Sequence, residues 1–373
     1  MARVRTITIR DVAREARVHP GTVSRALNTE TRALVNEETA ERVLSAAVKL
    51  GYRPNRIARG LKTSRSYTVG VLIPDITNPL FPPIMRGIED RLVEAGYTSL
   101  IVNTDNDRER ERSHLEAMRA RQVDGFISAT ARLDRELLAD VAAAGTPLVL
   151  VNRSLEDGSV PAVTVNDRQG SCLAVEHVVG LGHTRIGHVA GPQNTSTGHR
   201  RNLGFAEAMR AAGLRAPKKH VRFSRWFTEE EGARVCAELL DAAPDLTAIV
   251  AANDLLAIGC YDTLEARGLR CPEDLSIVGF NDMPFVDRLR PPLTSVRVPQ
   301  REIGAVAADM LLQLLADGSQ PAREILLEPT LVVRGSTAAV SPAGGPSPAA
   351  SRARRSTAAG ARARGSTAAS RVR

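Results

Sequence analysis

The stretch TITIRDVAREARVHPGTVSRALN, residues 6–28, decides the reading of the amino-terminal part of the chain. Ile9, Val12, Ala13 and Ala16 recur at helical spacing as one apolar stripe, and Val18, Val23 and Leu27 form a second. Two short helices joined by a tight turn are therefore predicted. Asp11 falls in the opening turn of the first helix, where the macrodipole favours an acid. Pro20 suits the first position of the second, because the N–H it lacks would have no intrahelical partner there. Thr22, Ser24, Arg25 and Asn28 then make up the polar face of the second helix. Small hydrogen-bonding side chains suit phosphate oxygens, and a guanidinium can take O6 and N7 of a guanine together. An ordinary helical hairpin is the alternative.

Charge is distributed in a way that favours the first reading. Residues 1–66 hold 14 Lys/Arg against 6 Asp/Glu, whereas residues 67–335 hold 29 against 36. A basic head on an acidic body points to a polyanionic partner for the head alone, since phosphate neutralisation needs clustered cations. Residues 336–373 hold 7 Arg and no acid in an Ala/Ser/Pro/Gly background with STAA repeated at 336, 356 and 366. Such a segment has little to bury, and a disordered tail with weak nucleic-acid attraction is expected.

From Tyr67 the pattern changes to apolar runs alternating with amphipathic stretches. The runs are TVGVLIP (68–74), SLIVNT (99–104), GFISA (125–129), PLVLVN (147–152), RIGHVA (185–190), AIVAA (248–252) and SIVGF (276–280). PIMRGIEDRLVEAG and GARVCAELLDAA, of helical length, lie between them. The alternation predicts buried strands in parallel α/β sheets with right-handed crossovers, and about 270 residues are better accommodated in two lobes than in one sheet. Ligands of such sheets sit beyond the carboxyl ends of the strands, which between two lobes becomes a cleft. Cys172, Cys236, Cys260 and Cys271 have no zinc spacing and read as reduced core thiols. No histidine has metal-ligand spacing, and no run approaches the length of a membrane span, so neither a metal nor a cofactor is expected and the location expected is cytoplasmic, at the nucleoid.

RDVAREARVHPGTVSRALN, followed by YRPNRIARGLK (52–62), IPDITNPLF, GHTRIGHVAGP, AANDLLAIG, LSIVGFND and PPLTSV, resembles the lactose/galactose repressor family over residues 6–335. The resemblance implies a homodimeric, sequence-specific transcription repressor that binds double-stranded DNA at a palindromic operator under allosteric control by a small effector. The implied fold is α/β, a helix-turn-helix head with a two-lobed periplasmic-binding-protein-like body. The boundaries expected are 1–54 for the head, 55–66 for a hinge helix and linker, 67–335 for the body that binds effector and dimerises, and 336–373 for the tail. By resemblance Arg25 reads a base while Thr22, Ser24 and Asn28 hold phosphates. In the hinge, Asn55 follows Pro54 as a plausible N-cap. Leu61 matches a leucine that wedges open a base step, Ala58 matches its small neighbour, and Lys62 completes the DNA-binding set. Two departures stand out. Arg17 replaces a turn glycine and must adopt a positive φ if the turn is kept, and His19 replaces a capping serine, so a weaker cap is expected.

The candidate effector groups lie at strand ends: Asp75, Asn78 and Phe81 after the first run, Asn152 and Arg153 after the fourth, Asn253 and Asp254 after AIVAA, and Asn281 and Asp282 after SIVGF. The resemblance adds Arg201 as a ligand-binding arginine. Amides, carboxylates, arginines and an aromatic face suit a polyhydroxylated molecule, a sugar or a nucleoside. An enzyme is disfavoured, since neither a G-x-G-x-x-G turn nor a G-x-S-x-G elbow occurs, so no catalytic residue is assigned. A periplasmic sugar-binding protein would need a secretion signal in place of the head.

Overall fold

The computed structural model describes residues 7–28, 31–52, 65–133, 136–318 and 323–340. Two compact units divide the chain between Ser66 and Tyr67.

In the head, α1 (Ile9–Ala16), α2 (Pro20–Ala26) and α3 (Glu37–Leu50) surround a small core. Val12, Ala16, Val23, Ala40, Val43 and Ala47 are buried there, with Ile9, Val18 and Leu27 packed against them. The expected stripes are thus the faces that meet. Arg17 ends α1 in the left-handed region, at φ 53° and ψ 48°, the conformation expected of it. The weak cap expected at His19 is not what the fold contains: its Nδ1 accepts the Gly21 N–H at 3.1 Å. An imidazole nitrogen can therefore do the work of a serine oxygen at this N-terminus. Asp11 accepts from Thr8 N at 3.0 Å and Thr8 Oγ at 2.7 Å, so its placement rests on capping as well as on the dipole.

The body contains two six-stranded sheets. The first has the order β11-β5-β4-β3-β1-β2, from β1 (Thr68–Ile73), β2 (Thr98–Asn103), β3 (Gly125–Ser128), β4 (Leu148–Val151), β5 (Ala162–Val165) and β11 (Glu324–Leu327). The second has the order β12-β10-β9-β8-β6-β7, from β6 (Ile186–Ala190), β7 (Val221–Phe223), β8 (Ala248–Ala251), β9 (Ser276–Asn281), β10 (Thr294–Arg297) and β12 (Thr330–Val332). All pairings are parallel except β10 with β12. Helices cover both faces, so the central strands are mostly apolar, Ser128 and His188 being the polar residues of β3 and β6, and every residue of β3, β4, β6 and β8 is buried. SLIVNT, expected as a buried strand, is instead the half-exposed edge strand β2.

The chain passes between lobes three times: after β5, through α11 (Gln300–Asp317) back to β11, and from β11 to β12. In the first lobe α11 crosses α4 (Phe81–Glu94) at backbone contact. A Cβ on Gly304 would come within 2.1 Å of the Ile84 carbonyl oxygen, and one on Gly87 within 2.0 Å of that of Arg301. Only glycine permits that approach.

The boundary expected at Ser336 is too early. Ser336 is fully buried, its Oγ donating to the Ile277 carbonyl at 2.6 Å and accepting Thr294 N–H at 2.8 Å, while its carbonyl accepts Ile277 N–H at 2.8 Å. Ala338 and Val340 extend this strap, Ala338 N to Ser276 Oγ and Val340 N to the Leu181 carbonyl. Composition hid it because the backbone and the hydroxyls of Ser336 and Thr337 make the bonds. Residues 341–373 lie outside the described residues, as do the hinge positions Asn55, Ala58, Leu61 and Lys62. Among the described residues no helix is long and apolar enough to cross a membrane.

Candidate functional site

On α2, Ser24 and Arg25 are exposed while Thr22 and Asn28 are half-buried. The Arg25 Nε donates to the Gly21 carbonyl at 3.3 Å, which lays the guanidinium stem back along the helix. No acid stands in the first turn of α2.

In the body, a cleft open to solvent lies where the carboxyl ends of both sheets face one another. From the first lobe it is lined by Asp75, Asn78, Phe81, Asn106, Arg132 and Arg153, and from the second by Pro192, Asn194, Thr195, Trp226, Phe227 and Thr228. Local hydrogen bonds set this lining. Asp75 Oδ1 accepts Thr77 N–H at 2.9 Å and the Thr77 hydroxyl at 2.6 Å, and Asn78 Oδ1 accepts Leu80 N–H at 3.0 Å. These turns seat Phe81 as the first residue of α4. Opposite, Thr195 caps α8 (Ser196–Ala211) and Thr228 caps α9 (Glu229–Ala242), each accepting a backbone N–H with its hydroxyl. Phe227 rests on Gly191, where a Cβ would lie 2.5 Å from its ring. Direct contacts join the lobes beside the cavity: Leu133 N to Asn194 O and Ser154 N to Ser196 Oγ, each at 3.0 Å, and a two-point pair of Arg200 with Glu324 at 2.6 and 3.2 Å.

Arg153 is the unusual group here. It is 6% exposed, its Nε has no hydrogen-bond partner, and among the described residues it forms no ion pair. Burial, with Arg132 adding like charge, draws its guanidinium down to about 10, the charge of Glu111 pulling the other way. Glu111, itself pushed up by burial, accepts from the Thr130 hydroxyl in an adjoining hollow that also holds Arg108 and Arg132.

Four of the ten expected effector residues, Asp75, Asn78, Phe81 and Arg153, line the cavity, and six do not. Asn152 is buried at φ 65°, its N–H bonded to Val163 O at 2.9 Å. Arg201 points inward: Nε bonds Asp167 Oδ1 at 2.7 Å, Nη1 the Ala252 carbonyl at 2.7 Å, and the guanidinium lies 3.7 Å from the Phe280 ring centroid. Burial pushes the Asp167 carboxyl up against the pull of Arg201. Asn253 caps α10 (Asp254–Ala266) through Leu256 N–H at 2.9 Å. Asp254 accepts Met283 N–H at 2.8 Å and the Ser295 hydroxyl at 2.6 Å, and burial pushes it up to about 7. Asn281, at φ 111°, gives its carbonyl to Gln300 Nε2 at 2.9 Å, and Asp282 is held by Arg297 at 2.7 Å and Arg334 at 2.6 Å. The side chains of Arg201, Asn253, Asp254 and Asp282 are thus engaged by a cap, ion pairs and hydrogen bonds inside their own lobe, whereas those of Asn152 and Asn281 are buried outside the cavity lining. The lining residues missed were Asn106, Arg132, Pro192, Asn194, Thr195 and the segment around Trp226, the only tryptophan of the chain. The aromatic pair Trp226 and Phe227, just beyond the three-residue strand β7, was the available signal.

Among the described residues no group of His, Cys, Asp and Glu could hold a metal ion, and all four cysteines are free.

A family model described as bacterial regulatory proteins, lacI family, matches residues 8–55, and one described as periplasmic binding protein-like domain matches residues 175–337. The ribose operon repressor of Halalkalibacterium halodurans is 34% identical over 330 residues, 88% of this chain and 97% of that protein. Among solved structures, the lac repressor dimer bound to operator and the anti-inducer ONPF matches with a TM-score of 0.79 at 28% identity, covering 90% of this chain and 100% of that one. A complex of the transcriptional regulator CelR with cellobiose matches at 0.68 and 32% identity, covering 88% and 99%. Similarity that spans head and body together, at this identity, fixes the assignment: the chain belongs to the lacI family of bacterial regulatory proteins and is a DNA-binding transcription regulator.

Proposed function

We propose that the protein is a homodimeric, cytoplasmic repressor that binds a palindromic operator through the head and changes its grip when a small polyhydroxylated effector occupies the cavity between the lobes of the body. The observation that carries this reading is the cavity itself, lined from both lobes by hydrogen-bonding side chains and aromatic faces and flanked by direct lobe-to-lobe bonds. A ligand touching both lobes favours one lobe angle over others, which is the differential affinity that allosteric coupling requires. Relatives support the ligand class, since the structures they match include one with cellobiose, and support the operator, since another is a dimer on DNA. In this reading Arg25 discriminates bases while Thr22, Ser24 and Asn28 hold phosphates; Asp75, Asn78, Phe81 and Arg153 meet the effector, joined by Asn106, Asn194 and Trp226. It is a regulator and not an enzyme, and two-fold symmetry matches the palindrome.

The test is footprinting on the DNA flanking the coding region, combined with a screen of sugars and nucleosides that follows Trp226 fluorescence. A protected palindrome is expected, with one compound that both perturbs the fluorescence and alters protection, and with discrimination lost in Arg25→Ala. A compound that perturbs Trp226 without any effect on operator affinity would refute the coupling.

A further inference from the structure

Resting on the reading of the cavity as the effector site, we infer that the effector is an anionic polyol, one whose phosphate or carboxylate group is received by Arg153.

Three independent features converge. The first is Arg153, buried to within 6% of full enclosure, lining the cavity and unpaired among the described residues. A buried guanidinium without a counter-ion is costly, and the cost is recovered when a ligand anion accepts from its planar fork. The second is the local balance of charge. Arg132 joins Arg153 on the lining, where Asp75 is the only carboxylate among the described residues, and the Oδ1 of Asp75 accepts two donors from Thr77. Glu111, in the adjoining hollow, accepts from Thr130 and acts on Arg153 through space, without an ion pair between them among the described residues. The third is the pattern of helix N-termini. The helices α1, α3, α7 (Asp167–Gly180), α9, α10 and α11, and α5 (Arg108–Ala120), each carry Asp or Glu in the first turn. In the body, α4 and α8 carry none and begin at the lining residues Phe81 and Thr195, whereas α9, which begins beside the lining residue Thr228, carries Glu229, Glu230 and Glu231. The positive ends of two helices of 14 and 16 residues are therefore left uncompensated beside the arginines. Phe81, Trp226 and Phe227 supply apolar faces for a sugar ring or base.

The test uses the full chain, with Trp226 fluorescence and thermal melting as readouts, and compares wild type with Arg153→Met. Inorganic phosphate at ionic strength matched with chloride is the first probe. It raises the wild-type melting temperature of the body and leaves Arg153→Met unmoved; an equal shift in both, or none in either, overturns the inference. Glucose with glucose 6-phosphate and gluconate, and ribose with ribose 5-phosphate and ribonate, form the second set. The anionic member of a set that binds does so at least about tenfold more tightly than its neutral parent, and the advantage disappears in Arg153→Met; the ester and acid arms tell phosphate from carboxylate. A neutral sugar that binds as well as its charged forms and still releases operator refutes the anion while leaving the effector reading intact. Release of operator by none of these compounds, with phosphate bound at Arg153, counts against the effector reading alone. Ligand-free Arg153→Met melts no lower than wild type; a large loss would mean that the protein itself supplies the counter-charge, and would overturn the inference.

Discussion

Replacing Arg201 separates two roles that the sequence and the structure assign to it. As a ligand-binding arginine it would be dispensable for folding. As the structure has it, its side chain is 3% exposed against Asp167 at 1%, with two further attachments at Ala252 O and the Phe280 ring. Removing one partner of so buried a pair costs about 3–5 kcal/mol, because the remaining charge is left without compensation, and the stranded Ala252 carbonyl adds about 1 kcal/mol. Arg201→Met is therefore expected to destabilise the body by about 4 kcal/mol. The double variant Arg201→Met/Asp167→Leu removes both charges and should recover most of that loss. The assay is urea unfolding followed through Trp226, which reports on the body alone because the chain has no other tryptophan. Midpoints are to be compared at unchanged slope. A pH dependence accompanies the loss. In Arg201→Met the Asp167 carboxyl rises further above its unfolded value, so the deficit shrinks as pH falls and the carboxyl takes up a proton. A single variant less than about 1 kcal/mol below wild type, or a double variant no better than the single, would refute the argument.

Asp254 supplies a second test. Its folded value of about 7 stands above the ordinary 3.8, so the native state keeps the proton while the unfolded state releases it, and stability drains away as pH rises through that interval and levels off above it. Melts at pH 5 and pH 7 should show Asp254→Asn gaining on wild type by up to roughly 2–3 kcal/mol; a gap that does not change with pH counts against the burial argument. For the carboxyl-terminal strap, a chain ended after Gly335 should unfold at lower urea than one ended after Val340, by about 1 kcal/mol for each hydrogen bond lost. Equal midpoints would show that the strap contributes nothing.

The parts of the fold legible in the sequence are those in which one signal dominates. The helical pair of the head was visible in its apolar stripes, and the seven apolar runs all became strands, because parallel sheets covered on both faces need uninterrupted Val, Ile and Leu. The strands not read, β5, β7, β10, β11 and β12, are short, and β7, β11 and β12 lie at sheet edges where composition is mixed. At the site, loops after strands were the right places to look, but type and position do not reveal which way a side chain turns. Asn253 and Asp254 look like ligands and serve as a cap and a buried acceptor. Arg153, after β4, and Arg201, within α8, are both buried arginines, and only coordinates show that Arg201 is paired with a carboxylate and that Arg153, among the described residues, is not.

The three passages of the chain between lobes bear on how the protein is made. The edge strands β11 and β12 and the strap at 336–340 come from the last described stretch, so neither lobe can be finished until nearly the whole body has left the ribosome. The head, with a core of its own, is complete some 290 residues earlier. A message cut short thus yields a reader without its sensor, and any such fragment would have to be removed by proteolysis of the unfinished sheets.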